Sequence, residues 1–309
     1  VTPDPIAVAD RALVLKLHGV LSEIDPVRWK DDAAGSLKVR LNALQGDLEK
    51  RERLVDLAGA LKMNLAHLEQ PTPDVKTRWL TFKKSLQPAY EKIAASLRAE
   101  KIHVPTLRPT NWARSAFHVA GAAFAIVLIE VIPTPTMLTY AALIYAVTFW
   151  CMEIGRRYVP AVNKILMAFF KPIAHAHEAT RINSSTWYAT ALVALTLTRS
   201  PVLCVVAVGI LGVGDPLAAL VGRRFGRIKL MHGRSLEGTL TFFISGLLVA
   251  FGLLRMLHGE VGVGAALAIS AAAALFGALA ELLSLRIDDN LSVPLAAGLG
   301  GALAMVAFT

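Results

Sequence analysis

Gly214-Asp215-Pro216-Leu217-Ala218-Ala219-Leu220-Val221-Gly222-Arg223-Arg224-Phe225-Gly226 is followed, after a short basic interval, by Arg234-Ser235-Leu236-Glu237-Gly238-Thr239. Asp215 closes one apolar run, about 201–219, and Glu237 opens another, about 238–257. A helix that crosses a bilayer needs about 20 apolar residues, within a range of about 17–25. In lipid the backbone must satisfy its own hydrogen bonds, so runs of this length read as helices. The chain is therefore expected to be all-α, a polytopic membrane helical bundle in which this stretch is the polar connection between two spans.

Five further runs flank these two, at about 115–132, 136–152, 185–199, 261–284 and 291–309, which gives an expectation of about seven transmembrane helices. The run at 185–199 is the shortest and abuts Arg199-Ser200-Pro201. Composition agrees: 55% of the 309 residues are hydrophobic, and the mean hydropathy of +0.53 is far above that of a soluble globular chain. Gly246, Gly252, Gly264, Gly277, Gly298 and Gly300 read as positions where helices pack closely. Cys151 and Cys204 both fall in apolar runs and read as packing thiols. Val1 is not followed by a basic stretch and an apolar core, so no signal peptide is expected.

Net charge is +9. In a membrane protein, excess Lys and Arg points first to cytoplasmic loops and anionic headgroups. With 7% aromatics and no RNA-binding signature, nucleic acid is not expected as a partner. Residues 153–181 hold Arg156, Arg157, Lys164, Lys171 and Arg181; residues 222–234 hold Arg223, Arg224, Arg227, Lys229 and Arg234. The turns Pro133-Thr134-Pro135-Thr136 and His258-Gly259-Glu260 carry no Lys or Arg, although Arg199 and Arg255 lie beside such turns. The positive-inside bias therefore predicts cytoplasmic basic loops, a cytoplasmic N-terminal region and an external C-terminus.

Residues 1–110 differ in character. Leu37, Leu41, Leu44, Leu48, Leu57, Leu61, Leu65 and Leu68 recur at helical spacing. Three helices are predicted, at about 5–22, 34–69 and 73–101, with Trp29, Trp79, Leu80, Phe82 and Tyr90 completing a small core. Nothing catalytic is apparent there. The reading is of a cytoplasmic helical accessory or oligomerisation domain that could mediate a homodimer, followed from residue 111 by the membrane domain.

With this orientation the acids gather at one membrane face. Asp215, Glu237, Glu281, Asp288, Asp289 and Glu153 all lie at span ends on the cytoplasmic side, together with Arg114, His118, Arg156 and Asn290. Charges near spans are costly, so a functional site is the first hypothesis, and Glu130 at the outer end of the first span is the exception. The residue types suit a polyanion bound with a hard cation. Magnesium takes one or two protein carboxylates and completes its shell with phosphate and water. Asp215, Glu237, Asp288 and Asp289 could supply carboxylates; Arg223, Arg224, Lys229 and Arg234 could hold phosphates. Gly222, Gly226 and Gly233 would let backbone amides approach them. Catalysis would be positioning and charge stabilisation, with one carboxylate orienting or deprotonating an attacking hydroxyl. The chain has no Gly-x-x-x-x-Gly-Lys-Ser/Thr element, which excludes a P-loop.

Gly214-Asp215, Gly222-Arg223-Arg224-Phe225-Gly226 and Arg234-Ser235-Leu236-Glu237-Gly238-Thr239 resemble the polyprenol kinase family, which includes dolichol kinase, phytol kinase and the CTP-dependent diacylglycerol kinase. Ile287-Asp288-Asp289-Asn290-Leu291-Ser292-Val293-Pro294 resembles that family's Asp-Asn loop before the last helix. Arg114 to His118 resembles the element that opens its core, and Glu153 with Arg156, then Glu178 before Asn183 and Trp187-Tyr188, resemble its middle region. The resemblance covers about 114–309 and keeps the order of the motifs. Arg234-Ser235 departs from it, because the family usually has Lys-Ser or Lys-Thr there.

The resemblance implies a membrane lipid-alcohol kinase that takes CTP as phosphoryl donor with a divalent cation, magnesium, as cofactor, and a diacylglycerol or polyprenol acceptor in the bilayer. It implies a metal-ligand or acid-base role for Asp215, with Glu237 and Asp288 or Asp289 completing the metal or hydroxyl site. Gly222, Arg223, Arg224, Gly226, Lys229, Arg234, Ser235 and Asn290 would bind nucleotide. Arg114, His118, Glu153, Arg156 and Glu178 would touch substrate or support the site. The related phosphatidate cytidylyltransferases, which move CMP to a lipid phosphate, are the alternative enzyme class. A non-enzymatic transporter or scaffold is the third reading, although transporters hold their charges near the midplane within repeats.

Two features have plain explanations. His175 and His177, two residues apart, diverge on a helix and read as part of an interfacial amphipathic helix rather than a metal cluster. His232 reads equally as a phosphate contact or a solvated loop residue. Residues 158–180 mix Ile165, Phe169 and Phe170 with Lys164 and Lys171, as an interfacial helix that could gate lipid entry would.

Overall fold

A computed structural model describes residues 5–26, 29–30, 32–68, 74–100, 102, 104–105, 107, 112–169, 182–284 and 287–308. The chain divides into two compact units, Val1–Thr110 and Asn111–Thr309. Both are helical, and the described residues hold no strand beyond a single bridge pairing Lys229 with Ser235.

The first unit packs α1 (Pro5–Glu23), α2 (Ala33–Glu49), α3 (Val55–Leu68) and α4 (Val75–Ala99). The helix expected over 34–69 is thus two helices. Arg51 adopts an extended conformation, a short 3-10 turn spans Glu52–Leu54, and α3 turns back along α2. The break places Leu37, Leu41, Leu44 and Leu48 against Leu54, Leu57, Leu61 and Leu65 in one core. A straight helix would have left that leucine stripe without a partner. Trp79, Phe82 and Tyr90 are buried on α4, while Trp29 and Leu80 pack at the core's margin. Lys83 is buried and donates from Nζ to the carbonyl of Ile24 at 2.7 Å.

The second unit contains α5 (Trp112–Val131), α6 (Pro135–Tyr158), α7 (Pro160–Phe169), α8 (Ser184–Thr196), α9 (Pro201–Phe225), α10 (Leu236–Leu257), α11 (Val263–Leu283) and α12 (Asp289–Ala307). Among the described residues, six of these (α5, α6, α9, α10, α11 and α12) are long and apolar enough to cross a membrane. The seventh expected span, α8, has 13 residues and a rise of about 20 Å, short of the hydrocarbon core. It stops where Arg199 turns into the left-handed region (φ 57°) and Ser200-Pro201 starts the next helix.

The centre of this unit is α9. Val205, Val206, Ala207 and Val208 are all completely buried, so neighbours cover every face of the helix, as its all-round hydrophobicity demands. Helices α5, α10, α11, α12 and α8 pack around it. Close approach depends on small residues: a Cβ on Gly212 would lie 2.2 Å from Cβ of Ala122 on α5. Of the six glycines predicted to pack closely, Gly246, Gly277, Gly298 and Gly300 do so, whereas Gly252 and Gly264 have open space beside them.

Candidate active site

The helix α9 runs to Phe225, six residues beyond the end expected from hydropathy, so Asp215 lies ten residues, about 15 Å, before its C-terminus. Asp215 is half-buried on the central helix. The preceding Gly214 leaves room for the Phe242 ring of α10, which an added Cβ would meet at 3.2 Å. Asp215 interacts electrostatically with Asp289, His118, Arg234 and Arg114, which come from α12, α5, the α9–α10 loop and α5.

The loop between α9 and α10 folds back on itself. Lys229 and Ser235 bridge, the amide of Leu230 donates to the Arg234 carbonyl at 2.9 Å, and Gly233 takes φ +79° at the turn. Glu237 holds the loop base: its Oε1 accepts from the amides of Arg227 (2.8 Å) and Ile228 (3.2 Å). Ser235 caps α10, its Oγ accepting from the Gly238 amide at 3.2 Å. Gly222 and Gly226 fit around Ser235. A Cβ on Gly226 would meet the Gly222 carbonyl oxygen at 2.2 Å and Ser235 Oγ at 2.6 Å. Gly222, Gly226, Ser235 and Glu237 therefore shape the loop, a task that residue types and spacing alone did not distinguish from phosphate binding.

Arg234 reaches two of the acids. Its Nη1 pairs with Glu281, and its Nη2 lies 3.6 Å from Asp289 Oδ2. Lys229 and Arg224 are exposed, the Arg224 guanidinium lying 5.6 Å from the centre of the Phe225 ring, and Arg223 is half-buried. Glu281 is buried on α11 at 3% exposure and senses the charges of Asp215 and Asp289 as well. Its position at the end of an apolar run was visible in the sequence, but its partnership with Arg234 was not.

The Asp288-Asp289-Asn290 motif opens α12. Asp288 caps the helix, with Oδ1 accepting from the Asn290 amide at 3.0 Å and from Asn290 Nδ2 at 2.8 Å. Asn290, buried at 4% exposure, also donates to Asp289 Oδ1 at 3.1 Å. Burial and, after it, the charge of Asp289 raise the Asp288 carboxyl above the ordinary aspartate range. Ser184, which sequence reasoning missed, joins the motif to α5: its Oγ donates to Asp288 Oδ2 at 3.1 Å and accepts from Arg114 Nη2 at 3.4 Å.

Glu153 and Arg156 lie beside this cluster as support. Glu153 is 2% exposed, is paired with Arg156 at 2.8 Å and Arg157 at 2.9 Å, and accepts from the amide of Asn183 at 3.2 Å. Asn183 is the N-cap of α8, so this buried pair fixes the start of the helix that carries Ser184. Glu178, His175 and His177 lie outside the described residues, as do residues 170–180 of the expected interfacial helix. The described part of that helix is the separate α7.

A cavity of about 740 Å³ runs from the acid cluster into the bundle between α5, α6, α8 and α9. Arg114, His118, Asn183, Ser184 and Asn290 line its polar end; Ile132, Leu138 and Cys204 line its far end. Along α5, the distance from Arg114 to Ile132 is about 27 Å, nearly the thickness of the hydrocarbon core. Its remaining wall is almost wholly aliphatic and aromatic. Helix α5 packs on α9 and α6 on α8, while α5 and α6, which both line the cavity, scarcely touch each other.

Asp288 and Asp289 set two half-buried carboxylates side by side, with Asp215 and Glu281 within electrostatic reach of Asp289. This excess of negative charge over Arg234 fits a divalent cation. Among the described residues no three His, Cys, Asp or Glu side chains gather tightly enough to hold a metal alone.

No protein-family model matches the chain, and no solved structure matches it. Uncharacterized protein RP860 of Rickettsia prowazekii (strain Madrid E) is 26% identical over 189 residues, 59% of this chain and 88% of that protein. Probable phytol kinase 1, chloroplastic, of Glycine max is 31% identical over 113 residues, 34% of this chain. That match spans 37% of the soybean protein's length.

Proposed function

We propose that this chain is an integral-membrane lipid kinase that transfers the γ-phosphoryl group of CTP to the hydroxyl of a lipid alcohol, with the site on the cytoplasmic face. The observation that carries this reading is the long apolar cavity whose polar end meets a cluster of carboxylates and Arg234. A lipid tail fits the cavity wall, and its hydroxyl would then lie beside His118, Ser184 and Asn290. The partial similarity to a probable phytol kinase and the family resemblance of the motifs support the same reading.

Each step has a residue of this chain to perform it. The lipid hydroxyl oxygen attacks the γ-phosphorus, the bond from that phosphorus to the bridging oxygen breaks, and CDP leaves with the electron pair. Asp215 takes the hydroxyl proton, with His118 nearby to orient the acceptor. Asp288 and Asp289 would hold magnesium, which when bound neutralises phosphate oxygens. Arg234, tethered to Glu281 and Asp289, directs its guanidinium toward the transferring group. The exposed Arg224 and Lys229 supply positive field to draw the nucleotide in.

The test is the position of the label in the product. Purified protein in lipid nanodiscs receives CTP labelled at either the α- or the γ-phosphate, together with diacylglycerol, a polyprenol or phytol. Label from the γ-phosphate should appear in the lipid. Transfer of α-label alone would make the chain a cytidylyltransferase, and transfer of neither would remove the kinase reading.

A further inference from the structure

We propose that the loop between α9 and α10 is a docking surface for anionic phospholipid headgroups, with Phe225, Ile228 and Met231 immersed in the bilayer interface and Arg224, Arg227 and Lys229 paired with lipid phosphates. This goes beyond the lipid-kinase reading and does not rest on it; it needs only that α9 and α10 span the bilayer.

The contacts of the loop separate an inner side from an outer one. Arg234 pairs with Glu281 and Asp289, Ser235 is buried, and Glu237 accepts from the amides of Arg227 and Ile228. Outside these contacts, Phe225, Ile228 and Met231 are 54–57% exposed, and the Arg224, Arg227 and Lys229 side chains among them are exposed too. Apolar side chains held out from a hydrogen-bonded loop call for an apolar partner.

Two apolar stripes lead from the spans to these residues. On α10, Leu240, Ile244 and Leu248 are exposed at four-residue intervals, which is one face of the helix. One turn earlier stands Leu236, whose amide donates to the Ile228 carbonyl at 3.0 Å. On α9, Leu217 and Phe225 are exposed and Val221 is half-buried, again four residues apart. The 22 residues of α10 rise about 33 Å, slightly more than the hydrocarbon core. Its first turn, and the loop bonded to that turn, therefore lie at the headgroup boundary.

Charge selects the kind of headgroup. Residues 222–236 hold Arg223, Arg224, Arg227, Lys229 and Arg234 and contain no Asp or Glu. The Arg224 guanidinium lies 5.6 Å from the centre of the Phe225 ring, and Arg227 and Lys229 flank Ile228. Cations interleaved with apolar side chains gain from an anionic bilayer twice, by burial and by attraction to phosphate. A free nucleotide would account for the cations but would leave Ile228 and Met231 in water.

The experiment places a bimane fluorophore on Ile228→Cys in a Cys151→Ser background, Cys204 being buried. The labelled chain is reconstituted in nanodiscs of phosphatidylcholine, alone or mixed with phosphatidylglycerol, each with a trace of phospholipid carrying a nitroxide just below its headgroup. Quenching should rise about twofold or more when phosphatidylglycerol is present, and high salt should reverse the rise. Arg224→Gln with Arg227→Gln should lower the ratio of immersed to free loop about tenfold or more, with an unchanged melting temperature showing that the variant is folded. Equal quenching in both lipid mixtures, or none in either, would overturn the proposal. So would the same emission change on adding inorganic pyrophosphate to phosphatidylcholine discs, which would make the loop a site for free phosphates. None of these readouts uses phosphoryl transfer, so failure of the docking surface leaves the kinase reading standing, and failure of the kinase reading leaves the docking surface.

Discussion

Asp215 stands on a helix whose preceding segment is wholly buried, and its closest charged neighbours come from three different elements. Replacing it with Asn keeps the volume and removes the charge and proton-acceptor capacity. Asp215→Asn should lower phosphoryl transfer about 100-fold or more, the range for losing a general base, without lowering the melting temperature. Arg234 has a structural duty as well, because Glu281 is buried against it. Arg234→Ala leaves that carboxylate unpaired and should destabilise the protein by about 3 kcal/mol, the low end for breaking a buried pair since Arg234 keeps some exposure. Adding Glu281→Gln should recover part of the loss, as read by thermal melting of the single and double variants. At this scale the sequence displayed Asp215, Arg234 and the Asp288-Asp289-Asn290 run, because acids and bases are conspicuous beside apolar spans. It did not display Ser184 or the pairing of Glu281, since these depend on which helices become neighbours.

Elements were legible where hydrophobic length alone decides them. The ends of α5, α10 and α11 fall close to the hydropathy limits, whereas α9 extends through Gly222, Arg223 and Arg224. Hydropathy registers the polar residues there, but the helix persists because the loop packs back on its last turns through Ser235 and Gly226. Gly226→Ala pushes a methyl group into the Gly222 carbonyl and should cost about 1–3 kcal/mol by overpacking, while displacing Arg234 and lowering activity. Melting temperature and transfer rate should fall together. In the first unit, Arg51 breaks a leucine repeat that looked continuous, because folding back gives the leucines one another. Near the end of α4, Glu100 pairs with Arg53, and hydrogen bonding from Arg53 holds its carboxyl below the ordinary range. The depressed value means this pair contributes stability above the unfolded glutamate value of about 4.3, and the contribution is lost as pH falls through the folded value. Amide exchange at the last turn of α4 should quicken over that fall in the full chain, and Arg53→Gln should abolish the pH dependence.

The membrane unit as a whole is a ring of helices around α9 with one side loosely closed. The cavity was not legible from sequence, because apolar residues that pack and apolar residues that line a void have the same composition. Its function can be probed by filling it: Ala142→Phe on α6 intrudes on the cavity wall and should lower kcat/KM for long-tailed alcohols about tenfold, with little effect on a short soluble alcohol. Equal losses for both would show that the substitution acts on folding instead, as a melting curve would reveal. The scant contact between α5 and α6 has a kinetic consequence. If the proposed lipid substrate enters between those helices, it would not pass through water, and encounters would occur by diffusion in two dimensions. Saturation would then follow the mole fraction of acceptor in the surrounding membrane, and diluting a fixed amount of it with inert phospholipid would slow turnover even when the bulk concentration is unchanged.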